Sequence, residues 1–248
     1  MNQIYNRILA GCEGRKKSLA VLVDPDKTSL ADCEKLAHNA LDAGADYFFV
    51  GSSILTHGDL DACVEVLKAN SNIPVILFPG NTMQISDKAD AILFLSLISG
   101  RNAEMLIGRH VISAPMLKKS GLEILPTGYM LIDSGAPTSV SYMSNTFPIP
   151  HDKDDIAVCT AMAGEMLGLK LMYMDAGSGA RFPVRPSMIA SVKKSVSSPV
   201  IVGGGIRTPE KAIDICQAGA DVIVIGNAIE KDPALIGEMA AAMHGILK

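Results

Sequence analysis

The stretch IVGGGIRTPEKAIDICQAGADVIVIGNAIE, residues 201–230, holds two short apolar runs that each end in glycine, with one amphipathic segment between them. Ile201 and Val202 lead into Gly203-Gly204-Gly205, and Val222 to Ile225 leads into Gly226-Asn227. Apolar runs without polar alternation belong to strands covered on both faces, so the stretch reads as strand, helix, strand in a parallel sheet. Thr208 before Pro209 marks the helix start, because the hydroxyl can accept from a free N–H of the first turn and proline leaves none unpaired. Glycines directly after strands let backbone N–H groups approach an anion, and a helix N-terminus adds partial positive charge. Glycine also simply turns a chain. Two such loops in succession nevertheless describe the phosphate cradle that (β/α)8 barrels build after strands seven and eight.

Working outward, the same pattern repeats along the chain. Apolar runs at 18–24, 47–51, 74–78, 91–96, 128–133 and 169–175 precede those at 199–203 and 221–226, which makes eight candidate strands. Helix-like stretches with apolar residues at three-to-four spacing fall at 29–41, 59–69, 102–119, 154–168, 186–196, 209–217 and 233–247. Ser29 followed by Asp32, and Asp232 before Pro233, are further start signals. The third connection, 80–88, is short and its helix is weak, while 133–152 is long and rich in Ser, Thr and Pro, as functional loops are. No linker-like composition appears. The expectation is one α/β domain over residues 1–248, a (β/α)8 TIM barrel of the phosphate-binding type with a weak or modified third helix.

Composition narrows the function classes. The chain has 248 residues, 48% hydrophobic and 19% charged, enough apolar material for a sizeable core. A formal net charge of −4 without runs of Lys or Arg argues against nucleic acid as a partner. The cysteines Cys12, Cys33, Cys63, Cys159 and Cys216 are five in number and show no CxxC pair, which suits reduced thiols and a cytoplasmic location. No apolar stretch reaches the roughly 18 residues of a membrane span. The five histidines show no metal or triad spacing, and the methionines Met162, Met166, Met172 and Met174 read as core filler, with a lipid groove as the lesser alternative.

Chemistry-bearing residues cluster after predicted strands. Val23-Asp24-Pro25-Asp26-Lys27 and Val50-Gly51-Ser52-Ser53 place a carboxylate and a hydroxyl at adjacent strand ends, hard oxygen ligands suited to Mg²⁺ completed by water and phosphate oxygens. Tyr173-Met174-Asp175-Ala176-Gly177-Ser178-Gly179 offers hydroxyls, flexible backbone and a carboxylate able to accept from a substrate hydroxyl, the marks of a polyol phosphate contact.

These motifs, LVDPDK, VGSS, YMDAGSGA, VGGGIRTPE and IGNAIE, together resemble the geranylgeranylglyceryl phosphate synthase family along essentially the whole chain. The segment PTGYMLIDSGAPTSVSYMSNTFPIP, residues 126–150, looks like the longer insertion of its archaeal-type branch, not the shorter bacterial heptaprenyl branch. The resemblance implies an Mg²⁺-dependent prenyltransferase that joins geranylgeranyl diphosphate to the C3 hydroxyl of sn-glycerol 1-phosphate and releases diphosphate. It implies Asp24 and Ser52 as metal ligands, and Tyr173, Met174, Asp175, Ala176, Gly177, Ser178, Gly179, Gly204, Gly205, Gly226 and Asn227 around glycerol phosphate. Asp175 would be the catalytic carboxylate, standing where the family motif has Glu. A homo-oligomer, dimer or hexamer, and transient contact with a membrane surface for the lipid product also follow from the resemblance. A heptaprenyl donor, another phosphate-binding barrel such as an isomerase, and a non-catalytic phosphometabolite-binding protein are the alternatives.

Overall fold

A computed structural model describes residues 3–245, in which eight parallel strands close into a barrel in chain order. They are β1 (Ser18–Val23), β2 (Tyr47–Val50), β3 (Val75–Leu77), β4 (Ala91–Leu97), β5 (Glu123–Leu131), β6 (Leu171–Asp175), β7 (Val200–Gly203) and β8 (Val222–Ile225). The ring closes where Ser18 lies beside Val222 and Val21 beside Ile225. Strand side chains alternate between two cores because successive Cβ atoms point to opposite faces. Ala20, Phe49, Ile76, Leu93, Leu125, Tyr173, Ile201 and Val224 fill the barrel, while Val21, Phe48, Leu77, Ile92, Met174, Val202 and Ile223 meet the helices outside. Double burial is why the strands read as unbroken apolar runs.

The outer layer comprises α2 (Leu30–Ala43), α3 (Leu60–Asn70), α4 (Arg109–Ser120), α6 (Asp154–Met166), α7 (Pro186–Ser195), α8 (Pro209–Gln217) and α10 (Leu235–His244). The expected caps form, with Ser29 accepting from Asp32 N and Thr208 from Lys211 N. Asp232 instead accepts from Ala234 N in the turn before α10, and the expected extension of that helix to 247 runs outside the described residues.

Four features correct the sequence reading. β5 starts at Glu123, five residues before the expected 128. No helix follows β3: Asn81 Oδ1 accepts from Met83 N in a local turn, and the Gln84 side chain bonds the backbone of Ser52 and Gly80. Side chains that satisfy nearby backbone compete with helix formation. The stretch expected as one helix at 102–119 opens with a π-helical turn, Glu104–Gly108, before α4. Three short helices went unread: α1 (Gln3–Glu13), α5 (Ser139–Ser144) and α9 (Asn227–Lys231). The first closes the N-terminal end of the barrel, where Ile4 and Ile8 join the inner core and the Glu123 carboxylate accepts from Ile4 N and Tyr5 N at 2.8 Å each.

Candidate active site

A cavity of about 1330 Å³ opens at the C-terminal end of the barrel, the end where this fold builds its active sites. Asp24, Ser52, Tyr173, Asp175, Gly177, Ser178, Gly179, Gly204, Gly205, Gly226 and Asn227 all line it, so the expected residues converge on one mouth. Met174 and Ala176 do not. Both are buried in the outer core, because the period-two alternation of β6 turns them outward and leaves only their backbone near the site.

Asp24 follows β1 directly, with its carboxylate in three local contacts: Oδ2 accepts from Ser52 Oγ at 3.1 Å, Oδ1 from Asp26 N at 3.1 Å, and Lys27 Nζ lies 3.0 Å away. Lys27 also reaches Glu230 at 3.9 Å, and burial raises the pKa of that second carboxyl. The second residue of the motif, Asp26, staples the β1 and β2 loops together by accepting from Thr56 N, Thr56 Oγ1, His57 N and Gly58 N. Two hard oxygens 3.1 Å apart on the cavity wall fit Mg²⁺. Among the described residues no group of three His, Cys, Asp or Glu could hold a metal, so Asp24 and Ser52 would need water or substrate oxygens beside them.

The loops after β6, β7 and β8 interlock. Gly204, at φ +83, sits so close to the β6 loop that a Cβ would fall 2.6 Å from Gly177 N and 2.8 Å from Asp175 Oδ1. Arg207 Nη2 donates to Ala180 O at 2.6 Å, and Asn227 Nδ2 donates to Ser178 Oγ at 3.2 Å. Gly226, Asn227 and Ala228 put the start of the short extra helix α9 on the cavity wall beside the β7 loop, the arrangement that holds phosphate in such barrels.

Below this ring lies an aromatic floor. Tyr173 stacks on Phe78 with centroids 5.2 Å apart and meets Tyr129 edge-on at 5.3 Å. The Tyr129 hydroxyl donates to Asp175 Oδ2, and Gly177 N donates to Oδ1 at 2.8 Å. Burial raises the Asp175 pKa above its ordinary value, while those two bonds pull it down. The sequence reading missed Tyr129, Lys27, Gln84 and Glu230. Lys27 and Glu230 sit inside quoted motifs; Tyr129, in the middle of a strand, had no local signal beyond its inward parity on β5.

On one side the cavity leaves the barrel. Because no helix covers the slot after β3, the outward faces of Ile92 and Phe94 on β4 stand open opposite His110, Ser113 and Leu117 of α4, with Ile85 along the edge. His110 packs edge-on against Phe94 at 4.3 Å and lies 3.3 Å from Ser96 Oγ; burial lowers its pKa by disfavouring the charged ring. Of the methionines read earlier none lines this space; Met105 and Met143 do.

Comparison with known proteins agrees with this geometry. The PcrB family model matches residues 13–243. The geranylgeranylglyceryl phosphate synthase of Chitinophaga pinensis is 60% identical over 98% of this chain and 96% of its own, and that of Methanothermobacter marburgensis is 39% identical over 94% of each. The crystal structure of (S)-3-O-geranylgeranylglyceryl phosphate synthase from Thermoplasma acidophilum, in complex with its substrate sn-glycerol-1-phosphate, superposes with a TM-score of 0.92 at 33% identity, covering 98% of both chains. The chain thus belongs to the PcrB family, among relatives that are geranylgeranylglyceryl phosphate synthases.

Proposed function

We propose that this protein transfers a geranylgeranyl group from its diphosphate to the C3 hydroxyl of sn-glycerol 1-phosphate, forming an ether and releasing diphosphate. The observation that carries this reading is the shape of one cavity, which joins a phosphate cradle, an Asp24–Ser52 pair and an apolar groove leading out along β4. A volume of about 1330 Å³ exceeds the usual ~300–1,000 Å³ of small-molecule pockets. A compact polar substrate, as an isomerase would take, has no use for the outer groove. Ile92 to Ser96 alone span ~13 Å at strand rise, and the mouth adds to that length, which suits a C20 chain.

Asp24 and Ser52 would hold Mg²⁺ together with oxygens of the diphosphate. The ion, when bound, offsets negative charge on the departing diphosphate. The chain's own groups do the rest. The glycine loops and the start of α9 fix the glycerol phosphate, so that its C3 hydroxyl oxygen faces the allylic carbon. As that oxygen forms its bond to C1 of the prenyl group, the C1–O bond to diphosphate breaks and positive charge develops on the allylic carbons. The rings of Phe78, Tyr129 and Tyr173 line the cavity there, and π faces stabilise a neighbouring cation. Asp175 orients the hydroxyl and accepts its proton; a carboxylate whose pKa burial has raised is the better base. Where the family motif has the longer Glu, Asp175 here is held by the Tyr129 hydroxyl and Gly177 N.

The test is product analysis by mass spectrometry after mixing C15, C20 and C35 diphosphates with each enantiomer of glycerol phosphate. The C20 ether of the sn-1 enantiomer is expected, with no product in chelator and loss of turnover in Asp24→Asn at preserved fold. Normal turnover in Asp24→Asn removes the metal assignment, and inability to use sn-glycerol 1-phosphate overturns the reading.

A further inference from the structure

Four basic side chains line the cavity: Lys27, Arg109, Arg207 and Lys231. Arg207 is tied to Ala180 O in the β6 loop, and Arg109 begins α4 in the outer groove. Lys27 is the only one of the four in an ion pair among the described residues. Its Nζ lies 3.0 Å from Asp24 Oδ2, the oxygen that also accepts from Ser52 Oγ, and 3.9 Å from Glu230 Oε1 on α9. The lysine side chain is 49% exposed and that of Asp24 10%, so the ammonium is the partner free to move. Asp26 does not compete for it, because its carboxylate accepts from Thr56, His57 and Gly58.

An ammonium and a divalent cation cannot share Asp24 Oδ2, because a Mg²⁺–oxygen bond is only about 2.0–2.1 Å long and two cations that close repel strongly. With the metal on Asp24, Lys27 has to turn toward Glu230 and the cavity. Charge then favours an anion there. Two carboxylates and one ammonium leave the Asp24, Glu230 and Lys27 set with one negative charge, and with Mg²⁺ bound the set carries one positive charge. Without the lysine it would only be neutral. Negative charge grows on the departing diphosphate as its bond to C1 breaks, and an ammonium aimed at those oxygens strengthens its hydrogen bonds in step. Lys27 donates hydrogen bonds in this step and keeps its proton.

We propose that Lys27 is a diphosphate-binding residue: it stands in for the metal on Asp24 in the free chain and swings to the diphosphate oxygens once the ion takes its place. The inference rests on the reading of Asp24 and Ser52 as the metal pair. Its test is a set of binding measurements on the full chain, with Lys27→Met and Lys27→Arg. Mn²⁺ alone, counted by electron paramagnetic resonance, should bind Lys27→Met about threefold or more tighter than wild type, because a competing cation is gone. Inorganic pyrophosphate with Mg²⁺, followed by calorimetry, should bind the same variant about tenfold to a hundredfold more weakly, the loss of one charge-assisted hydrogen bond. Lys27→Arg keeps the charge and should bind pyrophosphate within about threefold of wild type, which separates loss of charge from loss of fold. Affinity for sn-glycerol 1-phosphate without metal should stay unchanged in both variants. The opposite signs for Mn²⁺ and pyrophosphate are the signature, since an ion pair that merely held the β1 loop would weaken both when removed. Mn²⁺ binding that is equal or weaker in Lys27→Met, or pyrophosphate binding equal to wild type, overturns the proposal. So does a matching loss for sn-glycerol 1-phosphate, which would place Lys27 in the other phosphate site, and so does a wild type that binds no pyrophosphate. Every affinity is read without turnover, so a failure of the prenyl-transfer reading would show separately, as a wild type that binds metal and pyrophosphate yet forms no ether.

Discussion

Tyr129 and Asp175 form a buried pair whose proton balance should be visible in the pH dependence of the reaction. Burial raises the Asp175 pKa from 3.8, and the Tyr129 hydroxyl works in the opposite direction. Tyr129→Phe removes that bond, so the acid limb of the kcat profile should move to higher pH, with kcat at neutral pH down about tenfold or more. The same change leaves one buried carboxylate oxygen short of a donor and should cost ~1–3 kcal/mol of stability, read by denaturant unfolding. An unchanged acid limb would mean that Asp175 does not titrate in the rate-limiting step. Asp26 behaves differently: it lies at the surface, and backbone N–H groups of His57 and Gly58 hold its carboxyl well below 3.8. A depressed carboxyl contributes stability above its unfolded pKa and loses it as pH falls through that range. Asp26→Asn should therefore flatten the loss of thermal stability below about pH 4, and should loosen the Ser52 loop enough to raise the Mg²⁺ concentration needed for half-maximal turnover.

At the scale of elements, the missing helix after β3 matters as much as the strands that are present. Filling the slot from the α4 side is the direct test of its role. Ser113 faces the groove, and its hydroxyl bonds only carbonyls of its own helix, Arg109 O and His110 O. Ser113→Phe should thus retain the fold while shifting the C15-to-C20 ratio of kcat/KM by about tenfold or more toward the shorter donor, measured by competition. At the opposite end, α1 is held by its N-terminal N–H groups on Glu123, by Arg7 over the Tyr47 ring at 5.2 Å and by Lys170 over the Tyr5 ring at 5.0 Å. Glu123→Gln weakens a charged helix-terminus contact and should cost about 1 kcal/mol in chemical unfolding. Turnover at 25 °C should be unaffected, since the bottom of such a barrel serves stability. The π-helical turn Glu104–Gly108 enters α4 at the groove, a placement typical of such turns at functional sites.

For the molecule as a whole, Lys27 already neutralises Asp24 in the chain alone, so a Mg²⁺ ion there would depend on substrate oxygens to complete its shell. Chelation should abolish turnover yet leave the melting temperature of the substrate-free protein unchanged; a large fall would mean that the metal also holds the fold. The barrel, its eight strands and the glycine loops at its mouth were legible in the sequence because they depend on local rules. Parallel strands buried on both faces must be apolar throughout, and loops such as Gly204-Gly205 must be glycine where φ is positive and the neighbouring backbone leaves no room for a Cβ. The lack of a helix after β3 was not legible because it depends on the Gln84 side chain satisfying distant backbone at Ser52, whereas α5 carries a local start signal, the Thr138–Ser141 capping box, that went unread. The side chains of Met174 and Ala176 point away from the cavity for a related reason: a motif names neighbours in sequence, while strand parity sends alternate side chains to opposite faces. The sequence by itself thus determined the fold and which glycine loops face the cavity mouth. Only tertiary structure joined Tyr129 to Asp175 across 46 residues and opened the outer face of β4 into a groove, because both are contacts between elements that no spacing along the chain encodes.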